Sequence, residues 1–319
     1  MKFGKSHLLF IPQKHELLHG CADFAQSPQV LVFDNFVRIY FSTRNIERDT
    51  NKHLSMIGFV DYDLNFQKLL SVSRTEVIAL GDLGTFDEHG IFPLNVFRDG
   101  DDLYGFIGGW NRKKSVSIDG SIGISKSQDN GETFKRLANG PVLTSSINEP
   151  FLVGDPFVLK YEEIYYMFYI YGQRWMPETI NEPPARVYKI GLATSTNLYD
   201  WKKQNDNQII NDIIGRDECQ ALPSVIEHKG VFHMVFCFRY STDFRINSSR
   251  SYRLGYAKSR DLINWERNDE ALIMDNPQNW DSEMRCYPHL VKVKSEIYLL
   301  YNGNQFGKYG FGITKLKGI

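Results

Sequence analysis

A proline followed at once by a short apolar run recurs five times along the chain. The intervals between successive prolines are 65, 63, 67 and 65 residues. Each run precedes a tight turn rich in polar residues and then a second apolar run, which is typical of a β-hairpin. The five predicted hairpins begin at Pro28 (PQVLVF), Pro93 (PLNVF), Pro156 (PFVLK), Pro223 (PSVIEH) and Pro288 (PHLVKV).

A third apolar run in every copy carries one glycine at a matching place. In the middle copies a turn and an aromatic residue then start a fourth run, so we expect the repeating unit to be a four-stranded antiparallel meander. The glycines are Gly58, Gly123, Gly191, Gly255 and Gly312, and the aromatic residues are Phe134, Trp201 and Trp265. We expect the two tryptophans, which occupy equivalent positions, to pack in the core.

A twisted sheet of this size cannot cover both of its faces alone, and radial packing around an axis is the usual solution. The sequence therefore predicts an all-β fold, a five-bladed β-propeller with four-stranded antiparallel blades, in a single domain over residues 1–319. The blades start near residues 23, 87, 150, 217 and 282. The last copy ends just past its third strand, so we expect the segment His7–Ile11 to supply the missing outer strand and close the ring.

Composition excludes several classes of function. The 319 residues include 37 Lys and Arg against 38 Asp and Glu, with no basic run, which disfavours nucleic acid or a membrane surface as partner. No apolar stretch approaches a membrane span, and the N-terminus lacks the core of a signal peptide. We therefore expect a cytoplasmic protein with free thiols at its four cysteines, Cys21, Cys219, Cys237 and Cys286. The oligomeric state stays open.

The segments before the five prolines are acidic. In an antiparallel meander they converge on one face with the segments that follow the second strands. Carboxylates repeated at one mouth would repel one another and raise pKa values unless a ligand uses them, although such side chains also bind backbone amides at strand starts. The fifth residue before the proline is acidic in four copies, and in the third the acid directly precedes it: Asp23, Glu88, Asp155, Glu218 and Glu283.

After the second strand, four copies carry an arginine and the fifth reads Asn-Gly-Asn-Gln. Arginine binds carboxylate or phosphate in a fork and stacks on rings, so carboxylates surrounded by arginines and aromatic rings suit a sugar with a negative group. The alternative is that the arginines only neutralise the acids. The predicted substrate-binding residues are Arg44, Asp87, Glu88, His89, Trp110, Arg112, Arg174, Trp175, Arg239, Glu283, Arg285 and Asn304.

With these residues the chain resembles the five-bladed propeller glycosidases of glycoside hydrolase families 43 and 32 over its full length. The resemblance rests on the repeat, on Val153-Gly154-Asp155-Pro156-Phe157 and on Asp217-Glu218-Cys219. The segments FDEHGIFP and YNGNQFGKYGFG are similar to uncharacterised glycosidase-like propellers of surface-polysaccharide gene clusters.

The resemblance implies three catalytic residues: Asp23 as general base or nucleophile, Asp155 as the residue that orients the sugar and tunes the acid, and Glu218 as general acid. Glycoside cleavage needs two carboxyl groups in different environments, which agrees with this assignment. Gly154 replaces the arginine of the fructan-processing relatives, and Asp23 lies in a plain Ala-Asp-Phe. A fructan hydrolase is therefore disfavoured.

Three functions remain open. The first is a glycoside hydrolase or transglycosylase of carbohydrate or polysaccharide metabolism that acts on an anionic sugar or oligosaccharide. The second is a phosphorylase whose arginines hold inorganic phosphate, and the third is a non-catalytic sugar-binding module. No cofactor or metal is expected. A Ca²⁺ ion held on the axis by His89, His289 and the acids is an alternative without EF-hand spacing to support it.

Overall fold

The computed structural model describes residues 1–18, 20–47, 49–178, 183–204 and 208–318, and they form an all-β protein. The described strands are, in chain order, β1 (His7–Phe10), β2 (Gln26–Val32), β3 (Phe36–Glu47), β4 (Lys52–Asp63), β5 (Leu69–Val72), β6 (Gly90–Asp99), β7 (Asp102–Arg112), β8 (Ile118–Ser127), β9 (Lys135–Arg136), β10 (Val153–Tyr161), β11 (Ile164–Met176), β12 (Ala185–Ser195), β13 (Lys202–Lys203), β14 (Glu218–His228), β15 (Val231–Tyr240), β16 (Arg253–Ser259), β17 (Glu266–Arg267), β18 (Cys286–Val293), β19 (Glu296–Asn302) and β20 (Phe311–Lys315). Short 3₁₀ helices lie at Pro12–Lys14, Ser248–Arg250, Asp269–Ala271 and Asn304–Gly307.

The predicted meander of four antiparallel strands is confirmed. β10 to β13 form one such sheet and β14 to β17 another, each in sequential order. β2 to β9 form an eight-stranded sheet, in which two meanders are joined by a single parallel bridge between Ser55 and Gly90. In the remaining sheet β1 pairs antiparallel with β20, so the N-terminal strand lies outside β18, β19 and β20. We call each set of strands that begins at β2, β6, β10, β14 or β18 a unit.

The first strand of every unit is interrupted near its proline. The register with the second strand shifts there in all five units, which is the sign of a β-bulge. In four units the residue before the proline has a positive φ, an uncommon conformation for a residue other than glycine. These four residues are Ser27 (φ 53°), Asp155 (φ 50°), Leu222 (φ 47°) and Tyr287 (φ 56°). A bulge changes the direction in which the neighbouring side chains point, and the side chain of Asp155 is the one that concerns the candidate site.

Hydrogen bonds link the first strands of neighbouring units. The Val158 amide donates to Asn95 Oδ1 (2.9 Å), and the Leu290 amide donates to Ser224 Oγ (2.8 Å). The Val30 amide donates to His289 Nε2 (3.1 Å) and so links the first unit to the last. These bonds satisfy buried polar side chains and hold the first strands of these units together.

The apolar core lies between the faces of successive sheets. Trp201 and Trp265 each pack edge-on against a phenylalanine of the preceding unit, Phe106 and Phe168 respectively. The indole N–H of Trp201 donates to the Leu198 carbonyl and that of Trp265 to the Leu262 carbonyl, and both half-buried rings pack against the core as expected. All four cysteines are free and buried. The part of the chain that the structure describes includes no helix of the length and apolarity that a membrane span requires.

Candidate active site

A cavity of about 520 Å³ opens where the five units converge. Side chains from every unit line it, among them Phe24, Phe92, Asp155, Tyr252 and Phe306. A cavity of this size suits a small ligand such as one or two sugar residues. Among the described residues that line it, Asp155 alone carries a carboxyl group, whereas four arginines line it: Arg44, Arg186, Arg239 and Arg245.

The Asp155 carboxyl group is buried at the bulge of β10, where its positive φ directs it toward the cavity. Its Oδ2 accepts a hydrogen bond of 3.3 Å from the Leu222 amide. Burial raises the pKa of Asp155 to about 7, against the smaller lowering effects of the Leu222 amide and of the Arg186 charge. The group therefore holds a proton in part near neutral pH, which is the property of a general acid.

On one side of the cavity, Arg44 is held by neutral partners. Its Nε donates to Gln26 Oε1 (2.8 Å) and its Nη1 to Ser55 Oγ (2.7 Å). The Trp110 indole N–H donates to the same Ser55 hydroxyl (3.2 Å), which fixes the ring beside the cavity. Burial lowers the pKa of Arg44, and burial together with the Arg44 charge lowers the pKa of His53, which also lines the cavity.

Arg239, on β15 of the fourth unit, is buried among aromatic rings of the third and fourth units. Its guanidinium lies 3.5 Å from the centroid of Phe244 and 5.4 Å from that of Tyr188. It donates to the carbonyls of Tyr240 (2.6 Å) and Ser241 (3.3 Å), but its buried Nε has no hydrogen-bond partner. Its charge has no carboxylate partner among the described residues, so an anion in the cavity can pair with it.

Arg186 and Arg245 complete this side of the cavity. Arg186 Nη1 donates to Ser117 Oγ (3.3 Å), and the Arg245 guanidinium lies 4.5 Å from the centroid of Phe244. Burial, first, and then the charges of Arg239 and Arg186 lower the pKa of Arg245. Within the described ranges, none of the four cavity arginines forms an ion pair with a carboxylate. Their charges therefore remain available to a ligand.

Of the three predicted catalytic residues, Asp155 is among the described residues that line the cavity, and Asp23 and Glu218 are not. Asp23 directly precedes the lining residue Phe24 and accepts a hydrogen bond from Gln13 Nε2 (2.8 Å). Glu218 is fully buried outside the lining, with its carboxylate bound by Arg267 Nη1 (2.5 Å) and by the Ile213 amide (2.9 Å). Both oxygens of Glu218 are thus used within the fold, and of the three residues Asp155 lines the cavity.

Of the predicted substrate-binding residues, Arg44, Trp110 and Arg239 line the cavity. Three other predicted arginines pair with carboxylates outside it. Arg112 pairs with Glu47 (2.7 Å), Arg174 with Asp217, and Arg285 with Asp281 (2.8 Å). In these three cases the arginine neutralises a neighbouring acid, which is the alternative that the sequence left open.

The remaining predicted residues also lie outside the lining, mostly in local contacts. Asp87 is buried in an ion pair with Arg136, and Trp175 packs against the core. Glu88 accepts from the Gly84 amide (3.0 Å), and His89 Nδ1 accepts from the Arg112 amide (3.4 Å). Asn304 Oδ1 accepts from the amide of Glu283 (2.9 Å), whose own side chain is exposed.

Comparison with known proteins gives relatives over most of the chain. The uncharacterized protein Rv1502 of Mycobacterium tuberculosis (strain ATCC 25618 / H37Rv) is 30% identical over 284 residues, 88% of each chain. The chain belongs to the Rv1502 family. A 1,2-beta-oligomannan phosphorylase of Thermoanaerobacter sp. (strain X514) is 28% identical over 184 residues, 57% of this chain and 52% of the phosphorylase. No protein-family model matches.

Solved structures share the fold of this Rv1502-family chain at low identity. A glycoside hydrolase superposes with a TM-score of 0.73 at 16% identity, covering 98% of this chain and 91% of its own. A structure from the GH130 family of mannoside phosphorylases, which contains glycoside hydrolases that target β-1,2-mannosidic linkages, superposes with a TM-score of 0.69 at 12% identity, covering 99% and 94%. The predicted membership of a glycosidase-like propeller group is therefore confirmed at the level of fold.

Several cavity residues of the Rv1502-family chain were not predicted from the sequence. They are His53, Arg186, Arg245 and three tyrosines, Tyr188, Tyr252 and Tyr287. Arg186 and Arg245 lie in or beside the long connections after the second strands of the third and fourth units. The length of those connections and their basic residues were a signal, but which side chains turn inward depends on loop conformation.

The described residues contain no group of three or more His, Cys, Asp or Glu side chains arranged to hold a metal ion. One carboxyl group can give or take a proton, and a set of arginines can bind one or more anions. Aromatic rings such as Trp110 offer a face to a sugar.

Proposed function

We propose that this chain is a glycoside phosphorylase. Asp155 protonates the glycosidic oxygen, and inorganic phosphate, bound by cavity arginines, attacks the anomeric carbon. One observation carries the proposal: the described cavity lining offers a single carboxyl group, with a raised pKa, and four arginines that have no carboxylate partner.

The number of carboxyl groups favours phosphorolysis over hydrolysis. Most glycoside hydrolases use two carboxyl groups, about 5 to 9.5 Å apart, of which one protonates the leaving oxygen and the other activates water or attacks carbon. Phosphate is already an anionic nucleophile at neutral pH and needs cations to hold it rather than a base. A cavity with one acid and several unpaired arginines fits that requirement.

The proposed reaction is a single displacement at the anomeric carbon. The bond between the anomeric carbon and the glycosidic oxygen breaks, and a bond between the same carbon and a phosphate oxygen forms. The Asp155 proton moves to the leaving oxygen, which departs as a neutral hydroxyl. Attack occurs on the face opposite the leaving group, so the anomeric configuration inverts. The products are a sugar 1-phosphate and a shortened acceptor.

Two comparisons support this proposal. The Thermoanaerobacter relative is named for oligomannan phosphorolysis, and one neighbouring fold comes from a family of mannoside phosphorylases that also contains hydrolases. We therefore propose a β-1,2-linked mannoside as the first substrate to test. Neither likeness distinguishes phosphorolysis from hydrolysis, so the proposal of phosphorolysis rests on the side chains of the cavity.

We further propose that the five units form the single five-bladed propeller predicted from the sequence, with β1 closing the last blade. The pairing of β1 with β20 and the bond from the Val30 amide to His289 support closure of the ring. Closure brings the five bulged strand starts around one mouth, where Asp155 and the arginines meet.

The experiment is an assay with purified protein and β-1,2-linked mannobiose to mannotetraose, with and without inorganic phosphate. We expect a sugar 1-phosphate, detected by ³¹P NMR, and no product without phosphate. Asp155→Asn should lower the rate about 10²- to 10⁴-fold, whereas Glu283→Gln, which changes an exposed carboxylate, should leave it unchanged. Release of free sugar at the same rate without phosphate would instead establish hydrolysis. Binding without turnover would establish a binding module.

A further inference from the structure

The cationic groups of the cavity form two separate sets. Arg44 and His53 belong to the first unit, on β3 and β4, and we call them the Arg44 pair. Arg186, Arg239 and Arg245 belong to the third and fourth units, and we call them the Arg239 cluster. The charges act within each set: Arg44 on His53, and Arg186 and Arg239 on Arg245.

The two sets lie on units that are not bonded to each other in sequence around the cavity. The first unit is bonded to the second, where Asn95 Nδ2 donates to Gln29 Oε1 (2.9 Å), and to the fifth, where the Val30 amide donates to His289 Nε2 (3.1 Å). The second unit is bonded in turn to the third, and the fifth to the fourth. Inorganic phosphate is a compact anion, and the arginines of both sets have no carboxylate partner among the described residues, so each set offers a site for an anion of its own.

Asp155 lies on the side of the Arg239 cluster. Its Oδ2 accepts a hydrogen bond from the Leu222 amide of β14, and β14 pairs with β15, where Cys219 lies opposite Arg239. The proton donor must face the leaving oxygen, and the nucleophile must approach from the opposite face of the sugar. The attacking phosphate therefore belongs at the Arg44 pair, and the leaving part of the substrate lies at the Arg239 cluster.

We propose that the leaving part of the substrate carries an anionic group, a carboxylate or a phosphate monoester, which Arg186, Arg239 and Arg245 bind. This inference rests on the proposed function for its orientation, with inorganic phosphate at the Arg44 pair. The substrate class is a sugar joined to an acidic acceptor, such as a sugar phosphate, a uronic acid or a hydroxy acid. The Arg239 guanidinium lines the cavity and lies 3.5 Å from the centroid of Phe244 and 5.3 Å from that of Tyr252, so aromatic rings hold this cation in place where such an anion would bind.

The test measures binding by calorimetry, without turnover. The probes are a hexose 6-phosphate, a hexuronate, the neutral hexose and inorganic phosphate. We expect at least one acidic probe to bind more tightly than the neutral hexose, and the tighter of the two identifies the acidic group. Inorganic phosphate should still bind when that probe is saturating. Displacement of the probe by phosphate, or equal binding of acidic and neutral probes, would overturn the inference.

Two variants test which ligand binds at the Arg44 pair and which at the Arg239 cluster. Arg245→Gln, in the connection between β15 and β16, should weaken the acidic probe about 10- to 100-fold, the loss of one charge-assisted contact. It should change phosphate binding, measured with the probe saturating, less than about threefold. Arg44→Gln should do the reverse, and the exposed Arg260→Gln serves as the matched control. Equal weakening of both ligands by both variants would show a single anion site.

The two proposals fail separately. Phosphate-independent hydrolysis of an acidic glycoside, with the same loss in Arg245→Gln, would refute phosphorolysis and leave the acidic acceptor in place. Phosphate-dependent cleavage of neutral oligomannosides that Arg245→Gln does not affect would refute the acidic acceptor and leave phosphorolysis in place.

Discussion

Replacing Asp155 with asparagine should stabilise the protein at neutral and alkaline pH while removing its activity. The buried carboxyl group has a pKa of about 7 in the folded chain, against 3.8 for an exposed aspartic acid. That difference of about 3 pKa units corresponds to about 4 kcal/mol, which the folded state loses when the group must ionise. Asparagine keeps an oxygen for the Leu222 amide and never ionises.

The pH dependence fixes the sign of this prediction. Because the folded-state pKa is raised, the folded state binds the proton more tightly, and the wild-type protein loses stability as pH rises from about 4 to about 7. Above pH 7 the loss is complete and constant. Asp155→Asn should therefore match the wild type near pH 4 and exceed it by up to about 4 kcal/mol at pH 8, since local rearrangement reduces the cost.

The assay is urea denaturation of both proteins at several pH values between 5 and 8, with Glu283→Gln as the control. The stability difference for Asp155→Asn should grow with pH, whereas the control, an exposed carboxylate, should show no such trend. An Asp155→Asn variant less stable than the wild type at pH 8 would show that the ionised carboxylate is favoured by the fold, and it would refute Asp155 as the general acid.

Four further outcomes are expected. The rate of phosphorolysis should fall about tenfold per pH unit above pH 7, as Asp155 loses its proton, and a flat profile from pH 6 to 9 would contradict its role. Glu218→Gln should lower the midpoint of thermal unfolding by removing a buried charge from Arg267, but the folded protein should retain its kcat; a kcat loss of 10³-fold would restore Glu218 as a catalytic residue. Trp110→Ala should raise KM about tenfold or more with little change in thermal stability, and an unchanged KM would exclude the ring from the sugar site. Arg239→Met should weaken anion binding about 10- to 100-fold in calorimetry, and unchanged affinity would exclude the cluster.

The sequence pattern was sufficient for the all-β class and the repeating meander, because both follow from apolar periodicity and turn residues along the chain. The pairing of β1 with β20 also followed from counting strands in the last copy. The residues of the site were harder to predict from the sequence. Asp23 and Glu218 have the residue type and repeat position of catalytic acids, but neither is among the described lining residues, and Glu218 is bound by Arg267 inside the fold. Such contacts between distant segments have no signature in spacing.

A second position of the repeat marks the cavity more closely than the acidic fifth position does. The residue directly before the proline lines the cavity in three of the five units: Phe92, Asp155 and Tyr287. All three lie at the bulge of a first strand, where the alternation of side chains is interrupted. In the other two units Ser27 and Leu222 hold this position outside the described lining, so the bulge alone does not turn a side chain into the cavity. The third unit places an acid at this position, and Asp155 therefore combines a place in the lining with a raised pKa.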